Sequence, residues 1–494
     1  MNRRQMLHAS GLAALGLGLR WHLPAAEGGP VPRTAAPAPG PFQHRYLLGW
    51  VNDNSSRARA GQRWPMVEID ETTVADYETF FQVARDCGYN GITLWGLFAT
   101  HAWAVPLEKS VTSERKRQVE RILAAAGRTG IKVLYGLGVY SWGFEEIIWH
   151  DPTTARNEGR MAWGTFQPDN GVAMCYQSPS ARQWMRAIVD LCVREAGTQG
   201  FGFQSGDLGR CYCQECRRLS DTEYHTRVIG ETAAYVRERH PGQILGLSAW
   251  GVDLGGGAAS LTEIGRHLDF LTDVTDQSAR RGGHYRRTLA AAVPCALGSL
   301  GGAVVVPPQR WARDRWFLPH PAMAARSIRS LHADGGRAFE FFMGPLANPQ
   351  FNLMIRFVGL LLTDPTQTCE QALAHVLEDL CAPDDPRTRA ALVQWVLAAE
   401  TAYFSRAGDV SSGEFDFEPL KGETAGAAIY LTRLPAQALA DYAADLRRLA
   451  GELPALEARC HRPAELGLIR RCLANVLADI GEIQATRDPP ATKV

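Results

Sequence analysis

The chain carries no net charge: 52 Lys and Arg balance 52 Asp and Glu. No global field exists to hold a polyanion, which argues against nucleic acid as a main partner. Lysine is scarce, supplying 5 of the 52 basic residues, a skew of coding more than of chemistry. No apolar run reaches the ~20 residues that a membrane-spanning helix needs, so stable membrane insertion is not expected. No Gly-rich phosphate fingerprint opens a helix after a strand, which argues against a dinucleotide-binding sheet. Disorder and fibrous structure are excluded by ordinary globular proportions, 46% apolar and 21% charged. At 494 residues the chain has room for two or three domains, or for one large barrel with additions. It can bury a large core and needs no disulfide staples.

The first segment reads as an address. Arg3-Arg4 precede a short Gly- and Ala-rich apolar run from Ala9 to Leu19, and Leu23-Pro24-Ala25-Ala26 offers small residues for cleavage. This pattern predicts a twin-arginine signal peptide over residues 1–26 and a periplasmic or secreted protein. Residues 27–44, rich in Pro and Ala, read as a linker.

From residue 45 to residue 365, apolar runs of four to eight residues alternate with helix-period segments. Strands are expected at 46–51, 91–95, 131–139, 201–206, 244–250, 269–275, within 294–306, and at 337–343. Helices are expected at 73–87, 113–129, 180–196, 222–240 and 321–334. Eight strands alternating with helices predict a closed (β/α)8 barrel. After Asp364-Pro365 the strand signals stop, and two Leu/Ala-rich segments, 370–403 and 436–485, predict a helical C-terminal domain over 366–494.

In such a barrel the chemistry lies at the C-terminal ends of the strands. Trp50, Trp95, Trp142 and Trp250 fall there, as do Asp53, Asp207, Asp276 and Glu340. Indole faces suit the apolar faces of pyranose rings, with polar groups nearby for the hydroxyls. Glycosidic cleavage needs an acid for the leaving oxygen and an anion facing the oxocarbenium ion, ~5–10 Å apart. Alternation along Phe201-Gly202-Phe203-Gln204 turns Gln204 toward the barrel axis and brings Asp207 over the mouth. Glu340, between Phe339 and Phe341, points inward, where a carboxylate needs either an Arg partner or a task. Asp207 is therefore the candidate general acid, Glu340 or Asp276 the second carboxylate. Asp53, Gln204 and the four tryptophans are the candidate substrate contacts.

The most specific local motif is Cys211-Tyr212-Cys213-Gln214-Glu215-Cys216. Three thiols within six residues can face one point, and Cys175, ahead of the third expected helix, is the obvious fourth ligand. Four thiolates make a closed, structural zinc site. Disulfides are the competing reading in an oxidising compartment, and an iron–sulfur cluster is a further one. No organic cofactor is expected.

The stretch from Cys175-Tyr176-Gln177-Ser178-Pro179 through Gly206-Asp207-Leu208-Gly209-Arg210 to the cysteine motif resembles a group of exported bacterial proteins with glycoside-hydrolase-like barrels. Gly344-Pro345, the segment 352–362 and Thr363-Asp364-Pro365 are similar to the same group. The resemblance spans roughly residues 45–400 and implies a barrel whose last helix leads into a helical domain. A more distant likeness is to the β-hexosaminidase and α-glucuronidase barrels. In hexosaminidases a Gly-Asp-Glu closes strand four. Here Gly206-Asp207 matches but Leu208 stands where that Glu would be, which moves the acid to Asp207 or changes the chemistry. The leading expectation is an exported glycoside hydrolase acting on a poly- or oligosaccharide. The alternatives are a non-catalytic glycan-binding barrel and a metal-dependent sugar isomerase or epimerase that uses the same carboxylates. The oligomeric state is left open.

Overall fold

The structure, a computed structural model, describes residues 40–51, 69–99, 102–141, 143–156, 173–204, 210–249, 258–273, 291–302, 318–343, 350–404 and 434–487. The expected signal peptide and most of the linker lie outside them. Eight parallel strands pair in sequence order: β1 (His44–Trp50), β2 (Gly91–Trp95), β3 (Lys132–Gly138), β4 (Gly200–Gln204), β5 (Ile244–Ala249), β6 (Phe270–Asp273), β7 (Ala296–Gly302) and β8 (Ala338–Phe342). β8 returns to pair with β1 and closes the barrel. The strands lie where the alternation put them, with ends differing by a residue or two.

Helices α1 (Glu71–Asp86), α2 (Ser113–Thr129), α4 (Pro179–Ala196), α5 (Asp221–Arg239), α6 (Ala258–Gly265) and α7 (Pro321–Ala333) connect the strands, with a short α3 (Glu145–His150) ahead of α4. Their starts are written locally. Asp70, Thr112 and Ser178 each accept a hydrogen bond from a backbone N–H of the first turn, and Ser220 with Glu223 forms a capping box. Gly130 and Gly197 end α2 and α4 in the left-handed conformation. The helix α6 was not anticipated from the sequence, because its eight residues are too short to carry a clear period.

Inside the barrel, Tyr46, Leu134, Phe270 and Ala338 fill one layer, with the Tyr46 and Phe270 rings meeting edge-on at 5.1 Å. Nearer the C-terminal ends, glycines make room for large neighbours. A Cβ on Gly136 would lie 2.6 Å from the Trp95 ring, so the indole can cross the axis only because Gly136 has no side chain. Gly136→Ala is expected to cost about 1–3 kcal/mol through overpacking. The check is a lower denaturation midpoint at unchanged m-value.

Beyond β8 come α8 (Gln350–Thr363), α9 (Cys369–Cys381), α10 (Pro386–Phe404), α11 (Ala436–Glu457) and α12 (Ala464–Arg487). The expected division at residue 365 falls between α8 and α9. Each of the two long helical segments expected there is in fact a pair. Pro383 and Pro386 lack the N–H that a continuous helix needs, and Ala382 turns left-handed at φ 47°. Asp385 then caps α10 by accepting from Arg387 and Thr388 N–H, both at 2.8 Å. The second break answers the first: His461 and Arg462 N–H donate to the Ala382 and Cys381 carbonyls, both at 3.0 Å. Both breaks carry local stop signals, Pro383-Asp384-Asp385-Pro386 and Pro463, which the Leu/Ala-rich stretches on either side outweigh in a sequence reading.

These helices sit on the barrel's last connections. Glu400 of α10 accepts from Ala322 and Met323 N–H at the start of α7, at 2.8 and 2.9 Å, supplying a cap that α7 lacks in its own sequence. Asn352 of α8 donates to Glu465 of α12 at 2.6 Å. Among the described residues no helix is long and apolar enough to cross a membrane.

Candidate active site and thiolate cluster

Trp50 closes β1 and Trp95 closes β2 as Cα partners. Their ring centroids are 5.9 Å apart at 41°. They are only 9% and 7% exposed, so each offers an edge to the mouth, not an open face. Gln204 ends β4 and is half-buried. Phe201 and Phe203 stack on each other at 5.7 Å, and Gly202 lies against Thr93 inside the barrel. Alternation therefore turns Gln204 inward, as expected. Asp53, Trp142, Asp207, Trp250 and Asp276 lie outside the described residues.

Glu340 points inward, but it is not at the strand end. It is the middle residue of β8, 1% exposed, two residues short of Phe342. Its Oε1 accepts from Thr93 Oγ1 at 3.4 Å. Its Oε2 accepts from Ser248 Oγ at 2.7 Å and from Thr272 Oγ1. The carboxyl group thus ties β2, β5 and β6 to β8 across the axis. Burial pushes its pKa up, and the three hydroxyl bonds pull part of that shift back. Its partners are hydroxyls, not the guanidinium that an inward ion pair would bring.

The connection after β3 holds a group that the sequence analysis missed. Tyr140 is buried at φ 62°, a left-handed conformation that a bulky residue adopts at a cost and that clusters at functional sites. Its carbonyl accepts from Met174 N–H at 2.8 Å, and the Gly143 carbonyl accepts from Trp103 N–H at 2.8 Å, which joins the connections after β2 and β3. Glu145 then opens α3 with Oε2 buried and, among the described residues, without a hydrogen-bond partner. Burial raises its pKa to about 7, the bond from its own N–H opposes that rise, and the Glu146 charge adds to it. One turn on, Trp149 is 76% exposed. Glu145-Glu146 reads in sequence as an ordinary acidic helix start, and only the flanking aromatics Trp142 and Phe144 hinted at burial.

The four expected cysteines do come together. The Sγ atoms of Cys175, Cys211, Cys213 and Cys216 all lie within 4.8 Å of one another, in a buried cluster that could hold a metal ion. Cys175 is 3.9 Å from Cys213 and 3.8 Å from Cys216. No pair is at the ~2.05 Å of a disulfide, and all eleven cysteines are free thiols. Hydrogen bonds from the Cys211 and Cys216 thiols lower the pKa of Cys175, and the bond to Cys175 raises that of Cys211.

No family model matches the chain, and no curated protein matches its sequence. Solved structures do. An enzyme of glycoside hydrolase family 138 targeting the pectin rhamnogalacturonan II aligns at a TM-score of 0.55 and 10% identity, over 91% of this chain and 59% of its own. This chain thus spans about three-fifths of that enzyme's length. The O-GlcNAc hydrolase of Thermobaculum terrenum aligns at 0.45 and 10% identity, over 91% of this chain and 97% of its own. The fold shared with the family 138 enzyme is a (β/α)8 barrel.

Among the described mouth residues, Glu145 is the carboxyl group whose surroundings hold a proton near neutrality. Burial raises the Glu340 pKa as well, but that group lies in the layer below, 1% exposed.

Proposed function

We propose that the chain is an exported glycoside hydrolase that cleaves a poly- or oligosaccharide through carboxyl groups at the barrel mouth. The observation that carries this reading is Glu145, a carboxyl group on the connection after β3 with a pKa of about 7 and, among the described residues, no hydrogen-bond partner for Oε2. A carboxyl group kept protonated near neutrality is what glycosidic cleavage asks of its acid. The barrel's likeness to a pectin-directed enzyme supports the class, and the Arg3-Arg4 segment supports export.

In this reading Asp207 is the general acid/base and Asp276 the opposing carboxylate. Asp276 takes precedence over Glu340, because the Glu340 oxygens are spent on three hydroxyls inside the barrel. Glu145 adds a carboxyl group on the connection after β3 that stays neutral up to about 7. Trp50, Trp95, Trp142 and Trp250 border the sugar, with Asp53 and Gln204 as hydroxyl partners. The thiolate cluster takes structural zinc, and the chemistry calls for no organic cofactor.

The test is hydrolysis of a glycan panel across pH. Activity is expected to be full while Glu145 is protonated and to fall as pH rises through about 7. Glu145→Gln, which cannot ionise, should remove that alkaline limb. A wild-type chain that binds a glycan tightly yet releases no sugar over days would overturn the reading in favour of a binding protein.

A further inference from the structure

The thiolate cluster has a size, a shape and a setting that go beyond the ability to hold some metal. For bonds of ~2.3 Å, the edges of a regular ZnS4 tetrahedron are ~3.8 Å. The Cys175–Cys216 and Cys175–Cys213 separations are 3.8 and 3.9 Å, so two edges of the cage already match those of a single-ion site, and no edge exceeds 4.8 Å. A four-iron cluster places a separate iron under each thiolate and needs a wider cage than one in which every Sγ lies within 4.8 Å of the others. All four donors are protein sulfurs and all four residues are buried, so no open position is left for water or substrate.

The surroundings suit a tetrathiolate ion, whose net charge is negative. Arg210 is buried beside it, stacked over the Tyr224 ring at 4.4 Å. Its guanidinium donates to the Cys216 and Leu219 carbonyls and to Asp221. The Tyr224 hydroxyl accepts from Cys211 N–H at 3.2 Å. Backbone N–H groups of Gln177 and Cys213 donate to the Cys175 and Cys211 sulfurs. A buried cation and oriented N–H groups of this kind offset the charge that a closed tetrathiolate site places inside a protein.

The ligands come from two connections on the same side of the barrel. Cys175 precedes α4, and its N–H donates to the Thr154 carbonyl at 2.8 Å. The other three cysteines follow β4 and precede α5. We propose that Cys175, Cys211, Cys213 and Cys216 bind a single tetrahedral zinc ion that locks the connection after β3 to the connection after β4. The zinc site stands independently of the glycosidase reading. Only its bearing on the Asp207 segment, which leads into Arg210, rests on that reading.

The experiment is elemental analysis of the purified full chain, followed by hydrogen exchange with and without a chelator. One zinc per chain is expected. Removing it should speed exchange at 173–178 and 210–219 while the β1–β8 amides keep their protection. Cys213→His retains four ligands and should retain the zinc, whereas Cys213→Ser should lose it or fail to accumulate; either result with a zinc-bearing Cys213→His supports the site. Iron with inorganic sulfide, a metal-free chain with these cysteines in disulfides, or unchanged exchange after zinc removal would each overturn the proposal. None of these readouts uses a glycan, so a zinc-bearing chain inactive on every sugar would count against the hydrolase and leave the zinc lock standing.

Discussion

Asp207→Asn is expected to lower kcat for glycoside hydrolysis by about 10²–10⁴-fold, the usual contribution of a general acid/base. Asn keeps the size of the side chain and its hydrogen-bonding reach, so KM should move little. A loss confined to kcat marks a group that acts in the transition state. The leaving group provides a second readout. An aryl glycoside whose phenol departs without protonation has less need of the acid, so the deficit should shrink on such a substrate and stay large on a natural sugar leaving group. Equal activity of wild type and Asp207→Asn on both substrates would remove Asp207 from the mechanism.

Glu340→Ala should destabilise the barrel by about 3–5 kcal/mol, since it opens a cavity and deprives three buried hydroxyls of their shared acceptor. Glu340→Gln should cost far less, about 1 kcal/mol or below, because the hydroxyls can turn to serve an amide. The difference follows from the direction of the pKa shift. Burial raises the folded-state pKa of Glu340 above that of the unfolded chain. Its stabilising contribution is therefore complete below the unfolded carboxyl pKa and is lost as pH rises through the folded value. Denaturation midpoints measured across pH should show wild type losing ground to Glu340→Gln as pH rises. If wild type loses no ground to Glu340→Gln as pH rises, the raised folded-state pKa does not belong to this carboxyl group.

The barrel was legible because its strands are covered on both faces and so read as short apolar runs between helical stretches. Alternation also fixed side-chain direction: Glu340 between Phe339 and Phe341 had to face inward, and Gln204 after Phe203 had to do the same. The cysteine cluster was legible from spacing, since three thiols in six residues converge wherever the backbone turns, and Cys175 lies on the neighbouring connection. Less legible were the paired C-terminal helices, where Leu/Ala-rich stretches on both sides outweigh the short breaks at Pro383-Asp384-Asp385-Pro386 and before Ala464. The capping of α7 by Glu400, 78 residues on in sequence, had no local signal at all.

Sequence by itself determined which way each strand residue points and where each barrel strand runs to within a few residues, because both follow from local backbone periods. Depth was decided only by the tertiary structure. Whether Glu340 reaches the mouth or lies one layer beneath it depends on how β8 is staggered against β1, and on Thr93, Ser248 and Thr272 arriving from three other strands. Whether Glu145 keeps its proton depends on how much water the connections after β2 and β3 exclude. Stagger and exclusion arise between segments distant in the chain, and a period read along one strand carries no information about either.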